Sequence, residues 1–157
     1  MATIRPAPNA TTNGSHGPGP SRLTDPTEVV LAFLAALERL DVDAARALLD
    51  PEIEYQNVPL PPARGIREVE KQLNGFMKLA RGFRVINHNV AAEGPVVLTE
   101  RTDIFTIGRV DAGFWVCGTF EVHDGRITLW RDRFDWIDVL SSYPRGLLRK
   151  VLGRAHR

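Results

Sequence analysis

A guanidinium and a carboxylate stand two residues apart in Thr99-Glu100-Arg101-Thr102-Asp103-Ile104-Phe105, a run with the composition of a β-strand. Alternate side chains of a strand share a face, so Arg101 and Asp103 point one way while Glu100 and Thr102 point the other. Burying an ion pair costs desolvation that its attraction often fails to return, so a pair aimed into a core suggests chemistry rather than stability. A second carboxylate, Asp132, follows in Trp130-Arg131-Asp132-Arg133-Phe134, and Tyr55 and Asn57 alternate in Glu52-Ile53-Glu54-Tyr55-Gln56-Asn57. Two carboxylates near one arginine can hold different protonation states, one serving as base and the other as acid. Tyr55 and Asn57 add neutral hydrogen-bonding groups able to fix a water against the base. Each residue also has a plainer reading. Arg101 and Asp103 could be a structural pair at a sheet edge, and the arginines beside Asp132 could mark a solvated face. Tyr55 could be a core tyrosine, Asn57 a turn former before Pro59, and Trp130 simple packing.

Other chemistries lack their residues. Cys117 is the single cysteine, which excludes an internal disulfide and a cysteine-based zinc site and fits a reducing cytoplasm. His16 and His156 lie near the chain ends and His88 and His123 are far apart, so no serine–histidine pair or metal cluster is expected, and no cofactor. The 157 residues suit one domain, and 43% hydrophobic with 25% charged residues is ordinary globular composition. Arg5 and Arg22 are the only charges in residues 1–22, and Arg145, Arg149, Lys150, Arg154 and Arg157 the only ones in 141–157, so the segment between is net acidic. That distribution argues against nucleic acid as a partner, because no continuous basic face with interleaved aromatics runs through the fold. No apolar run approaches a membrane span and the N-terminus has no signal-peptide core, which points to a cytoplasmic protein without integral membrane association.

The elements that must position these residues can be read in order. Pro6, Pro8, Gly14, Gly17, Pro18, Gly19 and Pro20 make residues 1–22 a flexible tail, and 23–157 reads as the single folded domain. Asp25-Pro26-Thr27-Glu28 opens a helix whose apolar face, Val30, Phe33, Leu34, Leu37 and Leu40, runs to about Leu40. Asp41 or Asp43 caps a second helix with Ala44, Ala45, Leu48 and Leu49 as its stripe, stopped by Pro51. A strand over 52–57 and a proline loop ending at Gly65 lead to a third helix marked by Val69, Leu73, Phe76, Met77 and Ala80. Strand periodicity then covers roughly 83–92, 96–107, 113–122 and 126–134. Helices followed by an antiparallel meander predict an α+β fold with helices on one face of a curved sheet. The basic segment 141–157, with Leu147, Leu148, Val151 and Leu152 at helical spacing, reads as a helix or tail, either on a membrane surface or covering the pocket or a dimer.

The last hairpin fixes which carboxylates meet. A two-residue Asp124-Gly125 turn pairs His123 with Arg126 and sets Cys117 opposite Asp132; a three-residue turn sets Val116 opposite Asp132. The second register gathers Phe114, Val116, Gly118, Phe120 and Val122 with Trp130, Asp132 and Phe134 on one apolar face, and is preferred. It places Gly118 opposite the Trp130 indole. Asp132 and Asp103 then share the inner face across one intervening strand, with backbones roughly 10 Å apart, leaving room for a water and a substrate.

Tyr55-Gln56-Asn57 with Pro59-Leu60-Pro61-Pro62 and Gly65, Glu100-Arg101-x-Asp103, and Trp130-Arg131-Asp132-x-Phe134-Asp135 together resemble the limonene epoxide hydrolase family over about residues 26–147. The resemblance implies a cone-shaped α+β fold similar to the nuclear-transport-factor and steroid-isomerase superfamily, a deep apolar pocket and commonly a homodimer. It further implies that an epoxide is opened in one step without a covalent intermediate. Asp132 would be the base for a water held also by Tyr55 and Asn57, Asp103 the acid on the epoxide oxygen, and Arg101 the bridge between them. Leu34, Leu37, Phe76, Phe105, Phe114, Val116, Trp130 and Phe134 would line the pocket. A lipophilic epoxide, as in detoxification or in lipid or terpenoid metabolism, and water are the expected partners. The alternatives are an isomerase or cyclase acting on a steroid- or polyketide-like ring, and a non-catalytic dimer binding hydrophobic ligands; neither needs the water-binding trio and the arginine bridge together.

Overall fold

A computed structural model describes residues 24–152; the expected tail at 1–22 and the end of the basic segment lie outside them. Helix α1 spans Pro26–Glu38, with the Asp25 carboxylate accepting from the Glu28 N–H at 3.0 Å. Leu40, at φ 55°, turns the chain into α2, Val42–Ala47, whose cap is Asp41 accepting from Ala44 N–H at 3.0 Å. Leu48 and Leu49 do not extend this helix. Strand β1 runs Leu49–Val58, and Leu49 is buried opposite Ile127 in parallel pairing. Pro51 is tolerated there because the β1 pairing is irregular between Leu49 and Glu54, where its missing N–H interrupts no regular ladder.

The proline loop contains a two-residue strand the pattern does not reveal, β2 at Ala63–Arg64, paired with Glu54 and Tyr55. Helix α3 covers Ile66–Leu79, followed by β3 Gly82–Glu93, β4 Val96–Ile107, β5 Val110–His123, β6 Arg126–Arg133 and α4 Trp136–Leu152. The break expected over 108–112 is only a two-residue turn with Gly108 at φ 62°, and α4 begins before the basic segment.

The six strands form one mixed sheet in the order β2-β1-β6-β5-β4-β3, with β1 and β6 parallel and the other neighbours antiparallel. Irregularities in β1, in β3 near His88 and in β6 at Thr128 let the strands bend and twist. On the inner side, Val29, Val30, Phe33, Leu34 and Leu37 of α1 pack with Ile53, Val97, Phe120, Ile127 and Trp130 into one buried cluster. Phe33 meets Trp130 edge-on at 4.9 Å.

The β5–β6 register corrects the expectation. Asp124 and Gly125 both have positive φ, 50° and 73°, and form a two-residue turn with His123 paired to Arg126. The extra residue is instead absorbed within β6: Val122 pairs with Ile127 but Glu121 pairs with Leu129, leaving Thr128 bulged. Beyond the bulge Gly118 faces Asp132 and Phe120 faces Trp130. The inner face therefore holds the expected residues, but Gly118 makes room beside Asp132 and not beside the indole.

Candidate active site

The β4–β5 register completes a row across three strands: Asp132 is opposite Gly118, which is opposite Thr99, while Arg101 and Asp103 follow along β4 opposite Val116 and Phe114. Strand alternation puts Thr99, Arg101 and Asp103 on one face, and all three are buried, Arg101 to 1% exposure. Each guanidinium nitrogen has an acceptor. Its Nε donates to Asp103 Oδ1 at 2.9 Å and its Nη2 to Asp103 Oδ2 at 3.2 Å. Nη2 also donates to Asp132 Oδ2 at 2.7 Å, and Nη1 to Thr99 Oγ1 at 2.9 Å. One cation thus joins both carboxylates.

Gly118 permits this arrangement by lacking a side chain. A Cβ there would stand 2.2 Å from Arg101 Nη1, 2.6 Å from Thr99 Oγ1 and 3.0 Å from Asp132 Oδ1. Two further residues build the site: Thr99, to which the sequence pattern gave no role, and Gly118, which it set beside the Trp130 indole instead of beside Asp132. Thr99 was recognisable by its spacing from Arg101, whereas Gly118 needed the correct register.

The parallel pairing of β1 with β6 brings Tyr55 beside Trp130 and Asn57 beside Asp132. The Tyr55 ring stacks on the indole at 4.0 Å, and Asn57 Nδ2 donates to the Tyr55 hydroxyl at 2.7 Å. That hydroxyl already accepts one bond, so its own hydrogen remains to be given elsewhere. Asp132 Oδ1 is buried with no hydrogen-bond partner among the described residues, as is Trp130 Nε1. The indole N–H lies where it favours the charged form of Asp132, without the geometry of a hydrogen bond.

Electrostatics follow from one cation facing two acids out of water. Burial pushes Asp103 up to about 6, against the pull of Arg101, and pushes Asp132 up as well against the same pull. Ionising both would leave an excess buried negative charge, so the two carboxyl groups titrate as a coupled pair. Burial alone would favour a neutral Arg101, but the two carboxylates outweigh it and hold the cation. Burial, reinforced by Asp132, raises the Tyr55 hydroxyl above its ordinary value, so it keeps its proton.

These groups lie in the wall of a cavity of about 260 Å³. Leu34 and Leu37 from α1, Phe76 from α3, Phe105 from β4, Phe114 and Val116 from β5, Trp130 and Phe134 all line it, together with the five polar residues named from the sequence. Leu73, Ala80, Phe83, Ile107, Ala112, Val139 and Ser142 complete the lining. Stacked and tilted rings, Phe83–Phe105 at 4.7 Å and Phe105–Phe114 at 5.9 Å, make one wall aromatic. Among the described residues there is no group of three His, Cys, Asp or Glu that could hold a metal ion. His88 is on the other face of the sheet, stacked on Trp115 at 4.5 Å, and Cys117 is exposed.

A single guanidinium bridging two buried aspartates at the polar end of an apolar cavity is the arrangement to compare with known proteins. The family model for the limonene-1,2-epoxide hydrolase catalytic domain matches residues 24–145. The chain belongs to the limonene epoxide hydrolase family. It is 46% identical over 123 residues to epoxide hydrolase EphG of Mycobacterium tuberculosis, covering 78% of this chain and 82% of that protein. A solved M. tuberculosis epoxide hydrolase of the limonene epoxide hydrolase type superposes with a TM-score of 0.74 at 44% identity, over 82% of this chain and 96% of that one. An NTF2-like protein from Burkholderia pseudomallei, at 16% identity and TM-score 0.68 over 77% and 98% of the two chains, shows the shared cone fold alone. This family member is accordingly an epoxide hydrolase on an NTF2-like α+β cone.

The packing around the bridge yields a direct test. Gly118→Ala should displace the guanidinium, lowering kcat/KM more than tenfold and destabilising the fold by about 1–3 kcal/mol. Thr99→Val, which strands one buried N–H of Arg101, should cost about 1–3 kcal/mol with a smaller loss of activity. Urea denaturation and steady-state kinetics read both; a Gly118→Ala enzyme with normal stability and rate would contradict the contact.

Proposed function

We propose that this epoxide hydrolase opens a lipophilic epoxide in one step, with Asp132 as base, Asp103 as acid and Arg101 as the bridge. The observation that carries this reading is the unpartnered Asp132 Oδ1 beside Asn57 and Tyr55, joined through Arg101 to a second carboxyl group that faces the same apolar cavity. A water at that oxygen would donate one hydrogen bond to Asp132 Oδ1 and one to the Asn57 side-chain carbonyl, and accept one from the Tyr55 hydroxyl. Its remaining lone pair is then aimed into the cavity. As the water oxygen forms its bond to a ring carbon and gives a proton to Asp132, that carbon's bond to the epoxide oxygen breaks, and Asp103 protonates the departing oxygen. Base and acid together avoid both a free hydroxide and a free alkoxide, each contribution being typically about 10²–10⁴-fold.

Protonation assignments rest on position. Asp132 has the open oxygen that a base requires and the indole N–H to favour its charge. Asp103, pushed up to about 6 by burial, is poised to carry the shared proton. After turnover Asp132 holds a proton and Asp103 lacks one, and Arg101 keeps the reversed pair neutral until the proton returns. The mostly aromatic and aliphatic lining supports a hydrophobic substrate.

Single turnover in ¹⁸O-labelled water with limonene oxide or styrene oxide should give diol carrying the label. Unlabelled first-turnover product would reveal an enzyme ester and overturn the one-step reading. Asp132→Asn and Asp103→Asn should each lose roughly 10²–10⁴-fold in turnover while remaining folded. An active Asp132→Asn enzyme would remove the proposed base.

The raised Asp103 pKa also has a sign. Because the folded state holds this proton more tightly than the unfolded chain, wild-type stability falls as pH rises from about 4 through about 6. Asp103→Asn removes that dependence. Its stability relative to wild type should therefore increase across this interval, and kcat/KM of the wild type should decline on the alkaline side once the acid is lost. Denaturation midpoints between pH 4 and 8 check the first, and a pH–rate profile the second.

We further propose a cytoplasmic homodimer formed through the outer sheet face, where Ile86, Leu98 and Trp115 are exposed. Sedimentation should then give twice the 17.5 kDa chain mass; a monomer at micromolar concentration would refute it.

A further inference from the structure

Helix α4 has two chemically different sides. Val139 and Ser142 line the cavity. At 100° per residue the opposite side carries Ile137, Leu140, Pro144 and Leu148, spaced by three and four residues. This stripe is open: Ile137 is 74% exposed, Leu140 75% and Leu148 59%. Such a row has no use in holding α4 on its own domain, since the packed side is the other one. Beyond the first turn the charges are of one sign. Asp138, in the first turn, is paired with Arg145 at 2.9 Å. After it the chain adds Arg145, Arg149, Lys150, Arg154 and Arg157 without a further acid.

An exposed apolar stripe on a helix with a cationic end matches the interface of an anionic lipid layer, where the apolar side chains enter the acyl boundary and the cations meet headgroups. A neutral partner surface would leave the cations unmatched. The cavity has an apolar edge at the surface as well: Phe76 of α3 lines it yet is 45% exposed.

We propose that α4 docks the enzyme on anionic lipid surfaces, so that an epoxide dissolved in lipid passes into the cavity beside the helix without crossing water. The delivery role rests on the lipophilic substrate proposed above, whereas the docking rests on α4 alone. No helix among the described residues is long and apolar enough to cross a membrane, so the contact is peripheral.

Flotation of the full chain with vesicles tests this. Phosphatidylglycerol vesicles should carry the protein up the gradient at low salt, phosphatidylcholine vesicles should not, and salt of about 0.5 M should release it. The double variant Ile137→Glu with Leu140→Glu should bind phosphatidylglycerol vesicles at least about tenfold more weakly while keeping the wild-type kcat/KM on dissolved styrene oxide. On an epoxide presented within phosphatidylglycerol vesicles, the same variant should be slower than wild type. Failure of the wild type to float at low salt overturns the docking, as would equal flotation of the variant. Wild type that does not float, with a variant of altered sedimentation, assigns the stripe to a second copy of the chain instead. If flotation succeeds but the vesicle-borne epoxide is not turned over while dissolved epoxide is, docking stands and delivery falls.

Discussion

One guanidinium held between two buried carboxylates is the constraint around which the inner face of the sheet is built. Arg101 is almost without solvent contact, and each of its nitrogens has a protein acceptor. A cation with that little water would be severely destabilising without the two carboxylates, because it would have neither solvent nor counter-ion. Several local features are explained by this demand. Thr99 has a hydroxyl where a valine would pack equally well, and Gly118 has no side chain where strand propensity would favour almost any other residue. Both stand in the row that includes Asp132.

The same constraint links electrostatics to chemistry. Removing both acids from water raises both pKa values, while the shared cation limits how far they rise. On the mechanism proposed above, the two carboxyl groups share one proton, the stoichiometry that simultaneous acid and base catalysis requires. A site with two well-solvated aspartates would ionise both near neutral pH and have no acid to offer. Burial that would be a cost in a purely structural pair would be, in the proposed role, what makes the pair useful, consistent with membership of an epoxide hydrolase family.

How much of this could be read from sequence depended on which physical signal carried it. Strand alternation alone placed Arg101 with Asp103, and the apolar face of β5 placed Asp132 on the same side of the sheet. The direction of a side chain depends only on parity, so these readings survived an error in register. The register itself was misread because it joined two separate facts into one. Asp124-Gly125 is a strong signal for a two-residue turn, while the apolar pattern demands one additional residue. The chain satisfies both by bulging at Thr128, and Thr128 has no special type to announce it. Leu49 was misplaced for a related reason: an apolar residue after Ala44, Ala45 and Leu48 continues a helical stripe equally well, and only its pairing with Ile127 makes it strand. The short strand β2 has too few residues for any periodicity.

The bulge at Thr128 is more than an irregularity in this accounting. With the turn at Asp124-Gly125 and no bulge, Asp132 would stand opposite Cys117, whose side chain belongs to the exposed outer face. The carboxylate would then leave the cavity, and Arg101 would be left with Asp103 alone. Adding one residue within β6 restores parity and sets Asp132 opposite Gly118, in reach of Arg101 Nη2 at 2.7 Å. The parallel partner β1 follows β6 from Glu54 onward, so the same shift that brings Asp132 inward also pairs it with Asn57 and sets Tyr55 against Trp130. A single displaced residue thus aligns the groups proposed to hold water with the base proposed to activate it, and the candidate site depends on the bulge as much as on any of the side chains it positions.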